Sequence, residues 1–177
     1  ADAPPLEIPG PWKVRFPHGW DVPVRQEFDS LYSWTDSTNA ATRAFSGTAV
    51  YARQFQLPAD RLVPGQRVRL ELGDVREIAR VYLNGRDAGI STFVPHGLDV
   101  TAFVRPGENS LIIEVANTWL NRLIADDALP EAQRKTHTNL TGPVGGQRWR
   151  AAQPKPSGLL GPVRLVWPRE VAVSFRQ

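Results

Sequence analysis

Neither cysteine nor methionine occurs anywhere in the 177 residues. The first absence excludes disulfides and thiolate metal sites, so the fold must hold by packing alone. That suits any compartment, an oxidising exterior included, because a chain of this length can bury a core that needs no covalent staple. The second absence extends to position 1, where alanine stands. The chain therefore reads as a processed product or a piece of something longer, and its first residues say nothing in favour of the cytoplasm. No apolar run approaches the roughly 18 residues of a membrane-spanning helix. Charge of one sign is lacking too: 21 Lys and Arg against 18 Asp and Glu leave +3, in no blocks. Without a basic stripe or a recognised module, nucleic-acid binding is not indicated. His18, His96 and His137 lie far apart with no His-x-x-x-His spacing, which argues against zinc. Gly-x-Gly-x-x-Gly, a phosphate loop and a Gly-x-Ser-x-Gly elbow are all missing.

What is present is an ordinary globular composition, 41% hydrophobic and 22% charged, with 16 Pro and 14 Gly for many turns. Residues 1–10 are Pro-rich and read as a linker or surface arm, and 11–177 as one domain. The clearest stretch is 78–115. A strand from Ile78 reaches Asn84-Gly85, the pair a type I′ hairpin turn requires. Pro106-Gly107-Glu108-Asn109 is a second turn, leading into an alternating strand with Leu111, Ile113 and Val115 on one face. Alternation also predicts strands at Trp12–Phe16, Thr48–Leu57, Arg67–Leu72, Val163–Trp167 and Val171–Phe175. Gly73-Asp74-Val75 reads as a turn, and Val24–Trp34 fits a helical face or an extended segment equally. From 118 to 158 no strand is convincing, and Leu129–Arg134 reads as a short helical turn. So long a loop is uncommon unless it is functional or disordered. The count is about eight or nine strands and no long helix, an antiparallel β-sandwich of the jelly-roll kind.

The motifs carry a family resemblance. Val81-Tyr82-Leu83-Asn84-Gly85, then Asp99-Val100-Thr101 and Pro106-Gly107-Glu108-Asn109, resemble the galactose-binding-like sugar-binding domain of family 2 type glycoside hydrolases. Leu31–Asp36, Phe45–Tyr51, Trp119–Ile124 and Ser157–Val163 are similar to the accessory domain of bacterial family 106 type α-L-rhamnosidases. The resemblance implies a carbohydrate ligand and the catalytic domain of a parent enzyme as partners. It also implies a periplasmic or extracellular location and catalytic acids in a separate barrel that this chain does not contain.

A sugar site needs an aromatic ring beneath the apolar face of a pyranose and a few planar polar groups for its hydroxyls. Trp119 with Asn121, Arg122 and Asp126 offers that mix, as do Trp149 with Arg148 and Gln147, and Trp34 with Asp36. The bland alternative stands beside each. Trp12, Trp20 and Trp167 read as packing, Trp34 as an end cap of the sandwich, and Asn121 and Arg122 as a network tying down the loop. Glycoside hydrolysis would need a carboxyl pair about 5 Å or 6.5–9.5 Å apart. Asp126, Asp127 and Glu131 are the nearest thing to one, but adjacent acids are more often solvated or capping groups. No cofactor is required. A structural calcium ion would need hard oxygen donors such as Asp74, Asp99 or Asp126, with nothing in the spacing to single out a metal site. The expectation is a non-catalytic carbohydrate-binding or accessory domain. A purely structural interdomain module, or a small glycosidase using acids in the 118–158 loop, are the other readings.

Overall fold

The two longest alternating stretches, Thr48–Leu57 (β4) and Gly107–Ala116 (β9), pair antiparallel along their whole length, from Thr48 opposite Ala116 to Leu57 opposite Gly107. They lie at the centre of one sheet in a computed structural model that describes residues 4–143 and 148–168. The spatial order of that sheet is β3 (Arg25–Phe28), β2 (Trp12–Arg15), β4, β9, β6 (Ile78–Leu83) and β7 (Arg86–Ser91). The opposing sheet is built on β5 (Arg69–Arg76). Along one edge of β5 run β10 (Gly158–Gly161) and then β11 (Arg164–Val166), with β1 (Leu6–Glu7) beyond β11, while β8 (His96–Asp99) takes the other edge. This is the expected antiparallel β-sandwich.

Period-two alternation decides what the sheets bury. Val14, Tyr51, Ile113, Val81 and Leu83 face inward from the first sheet, and Leu70, Leu72, Val75, Leu159 and Leu165 from the second, each 3% exposed or less. Each such side chain contributes about 1.5–3 kcal/mol by leaving water. One end of the core is aromatic. Phe16, Trp34 and Phe45 meet edge-on with ring centres 5.0–5.5 Å apart. The Asn84-Gly85 turn has both φ angles positive, 54° and 76°, as a type I′ hairpin demands. Asn84 also donates to Asn109 Oδ1 at 2.8 Å, so the two turns of the 78–115 stretch are fastened to each other.

The structure departs from the sequence expectation in three places and settles a fourth segment that the sequence left open. Among the described residues there are eleven strands, because β1, β8 and β10 are too short or too Gly-rich to show alternation. Residues 6–8 are not an arm: β1 pairs with β11, and Ile8 is buried with its N–H bonded to Val163 O. Gly73-Asp74-Val75 does not turn but continues β5, and the chain crosses to the other sheet at Glu77 instead. Val24–Trp34 resolves into β3 and a 3-10 turn at Trp34–Asp36, followed by the single-turn helix α1 (Ala40–Arg43). The last expected strand, Val171–Phe175, lies outside the described residues.

Candidate functional site

Beyond β9 the chain leaves the sheets until β10, and its first element there is a helix. Leu120, Leu123 and Ile124 recur at helical spacing, and Leu120–Asp127 form α2. The residues this helix buries are polar: Asn121, Arg122 and Asp126. Such groups are tolerated inside only when they are paired. Asn121 exchanges two hydrogen bonds with the backbone of Lys155, donating to its O at 2.8 Å and accepting from its N at 2.9 Å. Asp126 Oδ2 accepts from the Thr136 hydroxyl (2.6 Å), the Thr136 N–H (2.8 Å) and the Lys135 N–H (3.1 Å). Its Oδ1 lies 2.8 Å from Arg122 Nη2 one turn earlier. Asp127 accepts from Arg148 Nη2 at 3.0 Å and from the Arg150 N–H at 3.2 Å. Three side chains of one short helix thus hold the following excursion at residues 135–136, 148–150 and 155.

Between α2 and the excursion a cleft of about 440 Å³ remains, a size that suits a small ligand. Leu123, Leu140 and Trp149 supply apolar surface, and Arg134, His137 and Asn139 supply polar groups. The Trp149 indole N–H donates to Leu140 O at 2.9 Å, which fixes the ring. Asp126 and Asp127 also line the cleft. Burial pushes the Asp126 carboxyl up, but its bonds from Thr136 and Lys135 and the Arg122 charge hold it below the ordinary carboxylate value. The Arg150 N–H, followed by the Arg148 and Arg150 charges, does the same for Asp127 against a smaller effect of burial. Both are ionised structural ties. A general acid needs the opposite shift.

Of the expected sugar contacts, the structure brings Asp126, Arg148 and Trp149 to this cleft. Asn121 and Arg122 are 5% and 6% exposed and belong to the ties beneath it. Trp119 is half exposed, at the start of α2, with its ring 5.7 Å from that of Trp20. Trp34 is corrected. It is fully buried and donates to the Tyr51 hydroxyl at 2.6 Å, so no sugar can reach its face. Asp36 is exposed at the end of the same 3-10 turn, without an aromatic platform in Trp34. Gln147 lies outside the described residues. Leu123, Arg134, His137 and Asn139 were not among the expected sugar contacts, because their convergence depends on how Asp126 and Asp127 fold the excursion back. The i, i+4 pair Arg122–Asp126 and the short Leu120, Leu123, Ile124 spacing are the local signals of α2.

Residues 1–142 match the family model described as glycosyl hydrolases family 2, sugar binding domain. The chain belongs to this family. A relative from Formosa agariphila, provisionally named a β-glucuronidase, is 41% identical over 126 residues, covering 71% of this chain and 11% of its own. A rhamnosidase structure from Novosphingobium sp. PP1Y superposes with a TM-score of 0.80 at 36% identity, over 95% of this chain and 15% of that one. A β-glucuronidase from Ruminococcus gnavus superposes with a TM-score of 0.61 over 92% of this chain and 28% of its own, at 21% identity, a likeness of fold alone. The sugar-binding domain thus spans about a tenth of the length of the curated relatives it matches.

The aspartates considered for calcium do not converge in this domain. Asp74 is paired with Arg76 at 2.8 Å, Asp99 accepts from the Thr101 hydroxyl and N–H, and both Asp126 oxygens are engaged by α2 and the excursion. Among the described residues no three His, Cys, Asp or Glu side chains are placed to hold a metal ion. No helix among them is long and apolar enough to cross a membrane.

Proposed function

We propose that this domain is a non-catalytic carbohydrate-binding unit of an α-L-rhamnosidase-like glycoside hydrolase, acting outside the cytoplasm and contacting sugar in the cleft between α2 and the excursion. The observation that carries the parent assignment is the extent of the likeness to the Novosphingobium rhamnosidase. At 95% of this chain it must include most of residues 118–158, the part that builds the cleft. The non-catalytic reading is supported by Asp126 and Asp127, two of the three acids that line the cleft with the exposed Glu131, both held ionised by hydrogen bonds and cations rather than raised toward neutrality. A β-glucuronidase-like parent is the second reading, favoured by the 41% identity to the Formosa relative.

Two measurements test these statements. In calorimetry with L-rhamnose, D-galactose and D-glucuronic acid, the chain is expected to bind at least one sugar saturably, and Trp149→Ala to abolish that binding without unfolding. Silence across the panel from a folded sample would leave a structural interdomain module. The full-length enzyme carrying this domain is expected to cleave aryl α-L-rhamnosides in preference to aryl β-D-glucuronides. The reverse preference would establish the second parent.

A further inference from the structure

Trp119 stands at a corner of the molecule that does not belong to the cleft, and it is 53% exposed. An exposed tryptophan is usually mobile, but this one is fixed from beneath. Its ring lies 5.7 Å from Trp20, tilted by 45°. Trp20 in turn meets Phe45 edge-on at 5.8 Å, and Phe45 belongs to the fully buried aromatic cluster with Phe16 and Trp34. A line of rings therefore runs from the core out to a half-exposed indole face.

The turn that carries Trp20 is also held. It is bent by two residues in the left-handed region, Gly19 at φ +88° and Asp21 at φ +59°. For a residue with a side chain such a backbone is uncommon, and it persists where the surroundings enforce it. Here the enforcing group is Lys135, which reaches across from the excursion to donate to Gly19 O at 3.2 Å and to pair with Asp21 Oδ2 at 2.9 Å. The Asp21 side chain remains 73% exposed and that of Lys135 33% exposed. The turn at residues 19–21 thus gathers three restrained groups, the Trp119 ring packed on Trp20, the Asp21 carboxylate next in the chain and the Lys135 ammonium paired with it, which lowers the ordering cost of binding.

We infer that Trp119, supported by Trp20 and flanked by Asp21 and Lys135, is a second sugar subsite. It would stack the apolar face of a neutral pyranose on the indole and hydrogen-bond its hydroxyls to Asp21 and Lys135. The inference rests on the carbohydrate-binding reading of the domain, and it places the subsite beside the cleft. The Lys135 and Thr136 amides share the Asp126 Oδ2 anchor, and Thr136 lines the cleft while Lys135 faces the corner. An oligosaccharide lying over residues 135–136 would touch both.

The test follows the indole N–H resonances of the ¹⁵N-labelled chain during titration with L-rhamnose, D-galactose and D-glucuronic acid. Six tryptophans give a spectrum simple enough to assign by single replacement. The Trp119 signal, identified by its loss in Trp119→Phe, is expected to shift saturably with L-rhamnose or D-galactose, and a shift with D-glucuronic acid alone would overturn the assignment to a neutral pyranose. Asp21→Asn, which keeps a residue tolerant of positive φ, is expected to weaken that binding about tenfold, equivalent to about 1.4 kcal/mol. Trp149→Phe is expected to leave the Trp119 shift in place. If the Trp149 signal moves while Trp119 stays still for every sugar, the corner is not a subsite and the cleft reading survives. If neither moves in a folded sample, both readings fall.

Discussion

One hydroxyl at the centre of the core serves two buried donors. Tyr51 Oη accepts from the Trp34 indole N–H at 2.6 Å and from the Leu159 N–H at 3.2 Å, and Tyr51 itself is fully buried. Burial pushes its phenol far up, more than the two hydrogen bonds lower it, so the group stays neutral. Tyr51→Phe keeps the shape of the ring but strands both donors. An unsatisfied buried donor costs about 1–3 kcal/mol, so the substitution is expected to cost about 2–5 kcal/mol. Urea unfolding monitored by fluorescence should show a lower midpoint with an unchanged slope. A loss well under 1 kcal/mol would mean that the two donors find other partners. The same contact explains why Trp34 misleads a reader of the sequence. Ser33-Trp34-Thr35-Asp36 has the polar neighbours of a surface platform, whereas the partners that bury it come from positions 17 and 124 residues further on. Gly158 is one of them: a Cβ there would stand 2.6 Å from Trp34 Nε1. No local pattern carries that information.

At the scale of elements, α2 is a short helix that acts as a peg. Alternation in β4, β6 and β9 was legible because one face of each is apolar, but α2 turns Asn121, Arg122 and Asp126 inward, and hydrophobic periodicity is a poor guide to a helix that buries polar groups. What it holds depends on charge. Asp126 faces Arg122 on its own helix and the Lys135 and Thr136 amides from the excursion, and Asp127 faces Arg148 and Arg150. Both carboxyls have folded-state values below the ordinary aspartate value of about 3.9. Their stabilisation is therefore complete above that value and is lost as pH falls through the lower folded values. Hydrogen exchange by mass spectrometry is expected to show residues 131–142 and 148–155 opening as pH drops below about 4, before β4 and β9 lose protection. Asp126→Asn, which leaves the buried Arg122 without its counter-charge, is expected to open residues 131–142 at neutral pH and to cost about 3–5 kcal/mol. Cooperative loss of protection in all segments together would show instead that the excursion is not a separable unit.

For the molecule as a whole, the sandwich follows from features that recur along the chain: inward-facing Val, Ile and Leu at period two, and an Asn-Gly turn whose backbone no other pair satisfies so readily. The two sheets were accordingly readable, while the cleft was not, since it is assembled from residues 123–149 by ties that no spacing reveals. That difference gives the cleft reading a thermodynamic consequence. A ligand bound only by the folded state at ten times its dissociation constant adds about 1.4 kcal/mol. In a chain of this size each kcal/mol raises the midpoint by about 2–4 °C, so a sugar that occupies the cleft is expected to raise Tm by about 3–6 °C. The gain should track ligand concentration logarithmically. Trp149→Ala should remove it, with a modest change in the unliganded Tm, because Trp149 is only partly buried and its indole N–H bonds to Leu140 O on an exposed segment. A sugar that raises Tm equally in the parent chain and in Trp149→Ala would move the binding site off the cleft, and the indole shifts at Trp119 would then show whether the corner holds it.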